Sequence, residues 1–244
     1  MAMNPRLLRP TATGFKYASL RQGLVAYWPL NETATSGDVT AKDESGNGYD
    51  LTSNNSVLSA AGKIGNARDF TAANSEFLSI ASNGDMQFGQ KDWTISCWFN
   101  AGVFTGQIIA KDLGGQREIE FRTSGSSSNS MLLVIYHSGG GLTVSLGSSL
   151  STGVWYFGAA RYVASTNTAT LRLDATTATG TVTEGQTANS GTAQLQVGAR
   201  QFVGARDFFT GRIDEVAKWN RALSDAELDT LYNSGNGINL GQRG

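Results

Sequence analysis

Two carboxylates set two residues apart, Glu118 and Glu120 in Gln116-Arg-Glu-Ile-Glu-Phe121, are the first place to look for chemistry. Residues i and i+2 of a strand share a face, and paired carboxylates can divide the roles of nucleophile and acid in glycoside hydrolysis. No third carboxylate follows in step, so the pair reads as polar sheet surface ahead of a catalytic dyad. His137 is the only histidine, and no Gly-x-Ser-x-Gly elbow precedes a helix, which leaves a Ser-His triad without parts. Cys97 stands among aromatics on a strand and reads as a small core residue. The runs Gly114-Gly115 and Gly139-Gly-Gly141 lack the Lys-Ser/Thr of a phosphate cradle and read as hairpin turns.

Binding chemistry is better represented. Asp43-Glu-Ser45-Gly-Asn47-Gly48 matches the first half of a calcium loop, with oxygen ligands two apart and glycine at the tight turn. The closing position is Asn54 instead of a bidentate Glu, and no helices flank it. Asp43 and Asn47 are therefore candidate ligands of a structural calcium, with a metal-free loop held by Asx turns as the alternative. Trp98, Tyr136 and Trp155 are candidate glycan-binding residues, able to stack on sugar rings if their own rings face solvent.

The elements that must position these residues are short strands. The chain has 244 residues with 30 glycines and 3 prolines, the composition of a chain that turns often. Strand patterns fall at 24–30, 67–70, 77–80, 93–100, 107–111, 118–123, 131–137, 142–146, 154–162, 168–173, 193–197 and 211–219. A dozen strands in this length predict an all-β, two-sheet antiparallel sandwich of jelly-roll type. Trp93, Ile95, Cys97 and Phe99 alternate with Thr94, Ser96, Trp98 and Asn100, which places the first four in the core and Trp98 on the opposite face.

One helix is expected, opened by the capping box Ser224-Asp-Ala-Glu227, striped by Leu228, Leu231 and Tyr232 and stopped at Gly235. Just before it, Arg221 is expected to pair with Asp214 or Glu215. Residues 1–22 read as an extended N-terminal arm, 23–236 as the sandwich and 237–244 as a C-terminal tail. The arm packs either on a neighbouring subunit or along its own domain. The stretch 174–192 reads as a surface loop or long hairpin.

With 19 basic and 20 acidic side chains the formal net charge is −1, and the basic residues form no stripe, so nucleic acid is not an expected partner. No run of about 18 apolar residues suggests membrane insertion, and the N-terminal stretch does not read as a signal peptide. One cysteine allows no internal disulfide.

Five motifs in order carry a resemblance: Gly23-Leu-Val-Ala-Tyr-Trp-Pro-Leu30, Asp43-Glu-Ser-Gly-Asn-Gly-Tyr-Asp50, Gly65-Asn-Ala-Arg-Asp-Phe70, Asp92-Trp-Thr-Ile-Ser-Cys-Trp-Phe99, and the closing Gly211-Arg-Ile-Asp-Glu-Val-Ala-Lys-Trp-Asn-Arg-Ala-Leu-Ser224. Together they resemble the laminin-G-like domains of the concanavalin A-like lectin and glucanase superfamily, over residues 23–236. The resemblance implies two curved sheets that meet glycan or protein ligands on the concave face or the edge loops. It also implies a structural calcium held by Asp214 and by carbonyls near the first strand. Members that hydrolyse glycans carry Glu-x-Asp-x-Glu on one strand, which this chain lacks, so the resemblance implies a protein that is not an enzyme.

The opening Met3-Asn-Pro-Arg-Leu-Leu-Arg-Pro-Thr-Ala-Thr-Gly-Phe15 resembles short structural proteins of tailed bacteriophages. The expected function is a non-catalytic structural or adhesive component of a large assembly. A virion is the expected place, as capsid decoration or tail or fibre accessory, with other virion proteins or copies of itself as partners through the arm. Cell-surface glycans are a further expected partner. An extracellular, stand-alone carbohydrate-binding module is the alternative, and a glycoside hydrolase the third reading.

Overall fold

Alternation along 93–99 sets the architecture: Trp93, Ile95, Cys97 and Phe99 all lie in the main apolar cluster between two sheets. The computed structural model describes residues 14–125, 129–201 and 207–244. Its strands are β1 Leu24–Trp28, β2 Thr52–Asn54, β3 Leu58–Ala61, β4 Asn66–Phe70, β5 Phe77–Ile80, β6 Trp93–Ala101, β7 Gly106–Lys111 and β8 Ile119–Ser124. They continue as β9 Ser130–His137, β10 Gly140–Leu146, β11 Trp155–Val163, β12 Thr168–Leu173, β13 Thr176–Thr181, β14 Leu195–Val197 and β15 Gly211–Trp219, before helix α1 Asp225–Tyr232.

One sheet has eight strands in the order β13-β12-β11-β6-β15-β4-β3, with β1 also on β15. The other has seven, β10-β9-β8-β7-β14-β5-β2. All pairings are antiparallel, which makes the expected sandwich. β2, β3 and β13 escape the sequence pattern. β13 shows no apolar alternation because it is an edge strand whose four threonines turn to solvent and whose one alanine, Ala178, is its only apolar contact with the core.

β15 shows how a local irregularity fits the closing motif to the core. Its register against β6 shifts between Asp214 and Ala217, and Glu215 adopts φ 52°. The extra residue puts both Ile213 and Val216 in the inter-sheet core, while Ala217 and Trp219 face the other side.

That other side is also buried. Leu20, Leu24, Trp98, Phe157, Trp219, Leu228, Leu231, Ile238 and Leu240 form a second apolar cluster on the outer face of the eight-stranded sheet. The described part of the N-terminal arm therefore packs on its own domain, and 14–22 is not an extended tether. A 3-10 helix spans Ala18–Arg21, Phe15 bridges to Arg243, and Lys16 N donates to Gln242 O at 3.0 Å. The Phe15 ring lies between the guanidinium groups of Arg21 and Arg243, 3.9 and 4.3 Å from its centroid. The rest of the arm, 1–13, lies outside the described residues.

Helix α1 begins as read, with Glu227 N donating to Ser224 Oγ and Ser224 N to the Glu227 carboxylate. Its stop is Asn233 in the left-handed region, two residues before the expected Gly235. Arg221 pairs with Glu227 at 2.7 Å and not with Asp214 or Glu215, because it leaves the strand beside the capping box. Both Arg221 hydrogen bonds and those from Ser224 hold the Glu227 carboxyl down at about 2.

One buried charge gives a pH test of the packing. Lys218 is 1 % exposed, its Nζ donating to Asp85 O at 2.8 Å, and burial pushes its amine down to about 7. Between pH 7 and the ordinary lysine range the unfolded chain holds a proton that the folded chain does not. Wild-type stability should therefore rise with pH across that window, relative to Lys218→Met, and the difference should be flat below it. Urea melts of both proteins from pH 6 to 10 check this; a constant difference would refute the buried neutral amine.

Candidate functional site

The outer face of the seven-stranded sheet gathers the charged residues that composition alone leaves scattered. On β8, Glu120 and Arg122 turn away from the core while Ile119 and Phe121 fill it. On β7 the register shifts between Gln107 and Ile109. That bulge sends both Ile108 and Ile109 into the core and leaves Gln107 directly opposite Arg122.

Glu120 is the centre of the network. Arg117 NH2 lies 2.9 Å and Arg200 NH1 2.6 Å from Oε1, to which the Tyr136 hydroxyl also donates. Oε2 accepts from Gln107 Nε2 at 3.1 Å, with Arg122 Nε 3.2 Å away. Arg117 also holds Asp112 at 3.0 Å, and Arg200 reaches Asp207 at 2.6 Å. Burial works to raise the Glu120 pKa, but the Tyr136 hydrogen bond and the Arg200 charge outweigh it, so the carboxyl stays below its ordinary range. Burial and the neighbouring Glu120 carboxylate push the Tyr136 phenol up.

Beside this network is a cleft of about 750 Å³. Gln107, Arg122, Thr123 and Ser124 line one wall, Phe104 and Phe208 add aromatic surface, and Ala72, Ala73 and Asp207 close the sides. Gly106 allows the close fit: a Cβ there would lie 2.5 Å from Phe208 O, so no larger residue lets 207–209 pass against β7. Within the cleft wall Gln107 is 1 % exposed, and its Oε1 has no hydrogen-bond partner. Gln196, two strands from Glu120 in the same row through Ala110, also leaves both amide atoms unpartnered.

The sequence candidates fall in three different places. Tyr136 belongs to the Glu120 network, one ring face covered by the Arg117 guanidinium at 3.8 Å. Trp155 is half-buried on the opposite sheet. There it begins a row, Trp155, Asn100, Arg212, Asp69 and Leu58, across five paired strands, beside a smaller cleft of about 420 Å³.

Trp98 is corrected outright. It lies on the face opposite the core, as alternation requires, yet it is 2 % exposed because Phe157, Tyr232 and Lys63 cover its ring. A sugar cannot reach it. The alternation could not reveal this, because the cover comes from a helix more than 120 residues away in sequence.

The residues proposed for calcium do not suit the ion. The Asp214 carboxylate accepts from the amides of Lys63, Ile64 and Glu215 at 2.8–2.9 Å, a ring of positive N–H ends where a hard cation takes oxygens. Burial pushes this carboxyl up to about 7, against those three hydrogen bonds. Asp43 accepts from Tyr27 N, Ser45 N, Ser45 Oγ and Tyr49 N, the Asx-turn alternative of the loop. Asn47 donates to the carbonyls of Leu24 and Val25, occupying the first-strand carbonyls a metal would need. Among the described residues no three His, Cys, Asp or Glu side chains come together to hold a metal.

Nor do Glu118 and Glu120 form a pair. Glu118 precedes β8 and accepts from Lys111 Nζ at 2.5 Å and from the amides of Phe88 and Gly191. Glu120 serves the arginines. Cys97 is fully buried, and burial pushes its thiol up, as its core reading requires.

The fold is shared with several solved structures. The binding domain of Paraclostridial Mosquitocidal Protein 1 superposes with TM-score 0.65 and 15% identity, over 88% of this chain and 53% of that chain. Domain 4 of AbnA, a GH43 extracellular arabinanase from Geobacillus stearothermophilus solved with arabinotriose, gives 0.65 and 16% over 88% and 98%. Botulinum neurotoxin type C gives 0.63 and 11% over 89% and 52%. The chain thus spans about half of the mosquitocidal and neurotoxin chains and nearly all of the arabinanase domain, and at these identities the likeness is one of fold. No curated protein sequence matches the chain. Residues 72–229, well over half of it, match the family model described as the concanavalin A-like lectin/glucanases superfamily, and the chain belongs to that family as a laminin-G-like domain.

Proposed function

We propose that this domain is a non-catalytic glycan-binding module whose sugar site is the cleft between β7, β8 and the 207–209 segment. The observation that carries the reading is the cleft itself, which sets the part-exposed Arg122 beside the aromatic surface of Phe208. The half-buried Phe208 ring supplies an apolar face for the sugar's C–H groups. The arabinotriose complex of the arabinanase domain and the ganglioside dependence of the type C neurotoxin support the same reading.

A glycan array with wild type, Phe208→Ala and Trp155→Ala tests it. The first variant should lose about tenfold or more in affinity while Trp155→Ala retains binding. Loss in Trp155→Ala alone would move the site to the opposite sheet, and an array without any bound glycan would refute the reading.

The setting we propose is adhesive: a virion or comparable assembly that presents the domain to cell-surface glycans. It rests on the sequence resemblance of 3–15, of which 3–13 lie outside the described residues. Light scattering at high concentration addresses it, since a protein that stays monomeric counts against contacts between copies.

A further inference from the structure

We infer that the cleft selects saccharides bearing a carboxylate, which Arg122 binds through its two terminal amino groups. This rests on the cleft being the glycan site and goes on to name the class of glycan.

Three arginines meet around Glu120, but they are not equivalent. Arg117 and Arg200 spend their guanidinium nitrogens on Asp112, Glu120 and Asp207. Arg122 Nε lies 3.2 Å from a Glu120 oxygen without a hydrogen bond to it, and among the described residues no hydrogen bond holds the Arg122 terminal nitrogens. Glu120 does not need them, since Arg117, Arg200, Tyr136 and Gln107 already satisfy it. The fork of two terminal N–H groups is thus left for another acceptor.

The Arg122 side chain is 33% exposed and lines the cleft. Among the described residues the one carboxylate that also lines it, Asp207, is paired with Arg200 at 2.6 Å. A planar fork matches a carboxylate with two parallel hydrogen bonds, better than it matches a tetrahedral sulfate or a neutral hydroxyl. The half-buried Phe208 ring lines the same cleft, so the fork can engage the carboxylate while the ring meets the C–H face of the same sugar residue.

The test is a panel of uronic and sialic acid oligosaccharides, each paired with its methyl ester, titrated calorimetrically into the full chain. Wild type should bind the acids at least tenfold more tightly than the esters, with that advantage shrinking as salt is added. In Arg122→Gln the acid-to-ester ratio should fall close to one, and Arg122→Lys, a point charge without the fork, should recover only part of it. Thermal melts confirm that both variants fold. Equal affinity for acids and esters, or an unchanged ratio in Arg122→Gln, overturns the inference and leaves the glycan reading standing. A preference for sulfated over carboxylated sugars overturns it as well. Absence of binding to every glycan, acidic or neutral, overturns both.

Discussion

Trp98→Ala is expected to destabilise the domain by about 3–5 kcal/mol, the range for removing a large buried aromatic. The ring packs 5.5 Å from Phe157 and 6.0 Å from Tyr232, centroid to centroid, beneath α1 and the C-terminal tail. Tail backbone passes over it at Gly237, where a Cβ would lie 2.9 Å from Trp98 Nε1. Truncation leaves a void that α1, anchored by Arg172–Asp229 at 2.7 Å, cannot close by itself. Urea denaturation reads the loss, and protease cleavage within 233–244 should appear at lower denaturant than in wild type. A loss below about 1 kcal/mol together with weaker glycan binding would instead make Trp98 a sugar platform.

Glu120→Gln should cost about 2–4 kcal/mol. Removing one partner of a buried ion pair leaves the others uncompensated, typically at about 3–5 kcal/mol. The lower range applies because Arg117 and Arg200 are 30% and 20% exposed and can turn toward water. The same substitution separates structure from catalysis. A hydrolase using Glu120 would lose turnover with little change in stability, whereas a scaffold carboxylate loses stability in a protein without turnover to lose. Glu118→Gln should also destabilise, since Glu118 is fully buried against Lys111.

The two substitutions bracket what could be read in advance. Local patterns were legible wherever the physics is local. Period-2 alternation put Trp93, Ile95, Cys97 and Phe99 in the core, and the capping box gave the start of α1. The same alternation put Glu118 and Glu120 on one strand face, but it could not show that Glu118 precedes β8 and serves Lys111 while Glu120 serves the arginines. The calcium half-motif misled because spacing specifies which oxygens are near, not what they face. Asp43 and Asn47 turned out to serve neighbouring amides and carbonyls.

The amino-acid sequence by itself determined the all-β sandwich, the closing strand and helix, and the superfamily, because strand period, turn residues and caps act over a few residues. Only the tertiary structure decided which polar groups are consumed and which are left over. Arg200 and Asp207 reach Glu120 and the cleft from 80 residues or more away in sequence, and the terminal segments bury Trp98. Whether a carboxylate is a ligand, a base or a scaffold depends on its through-space partners, and neither residue type nor spacing encodes those.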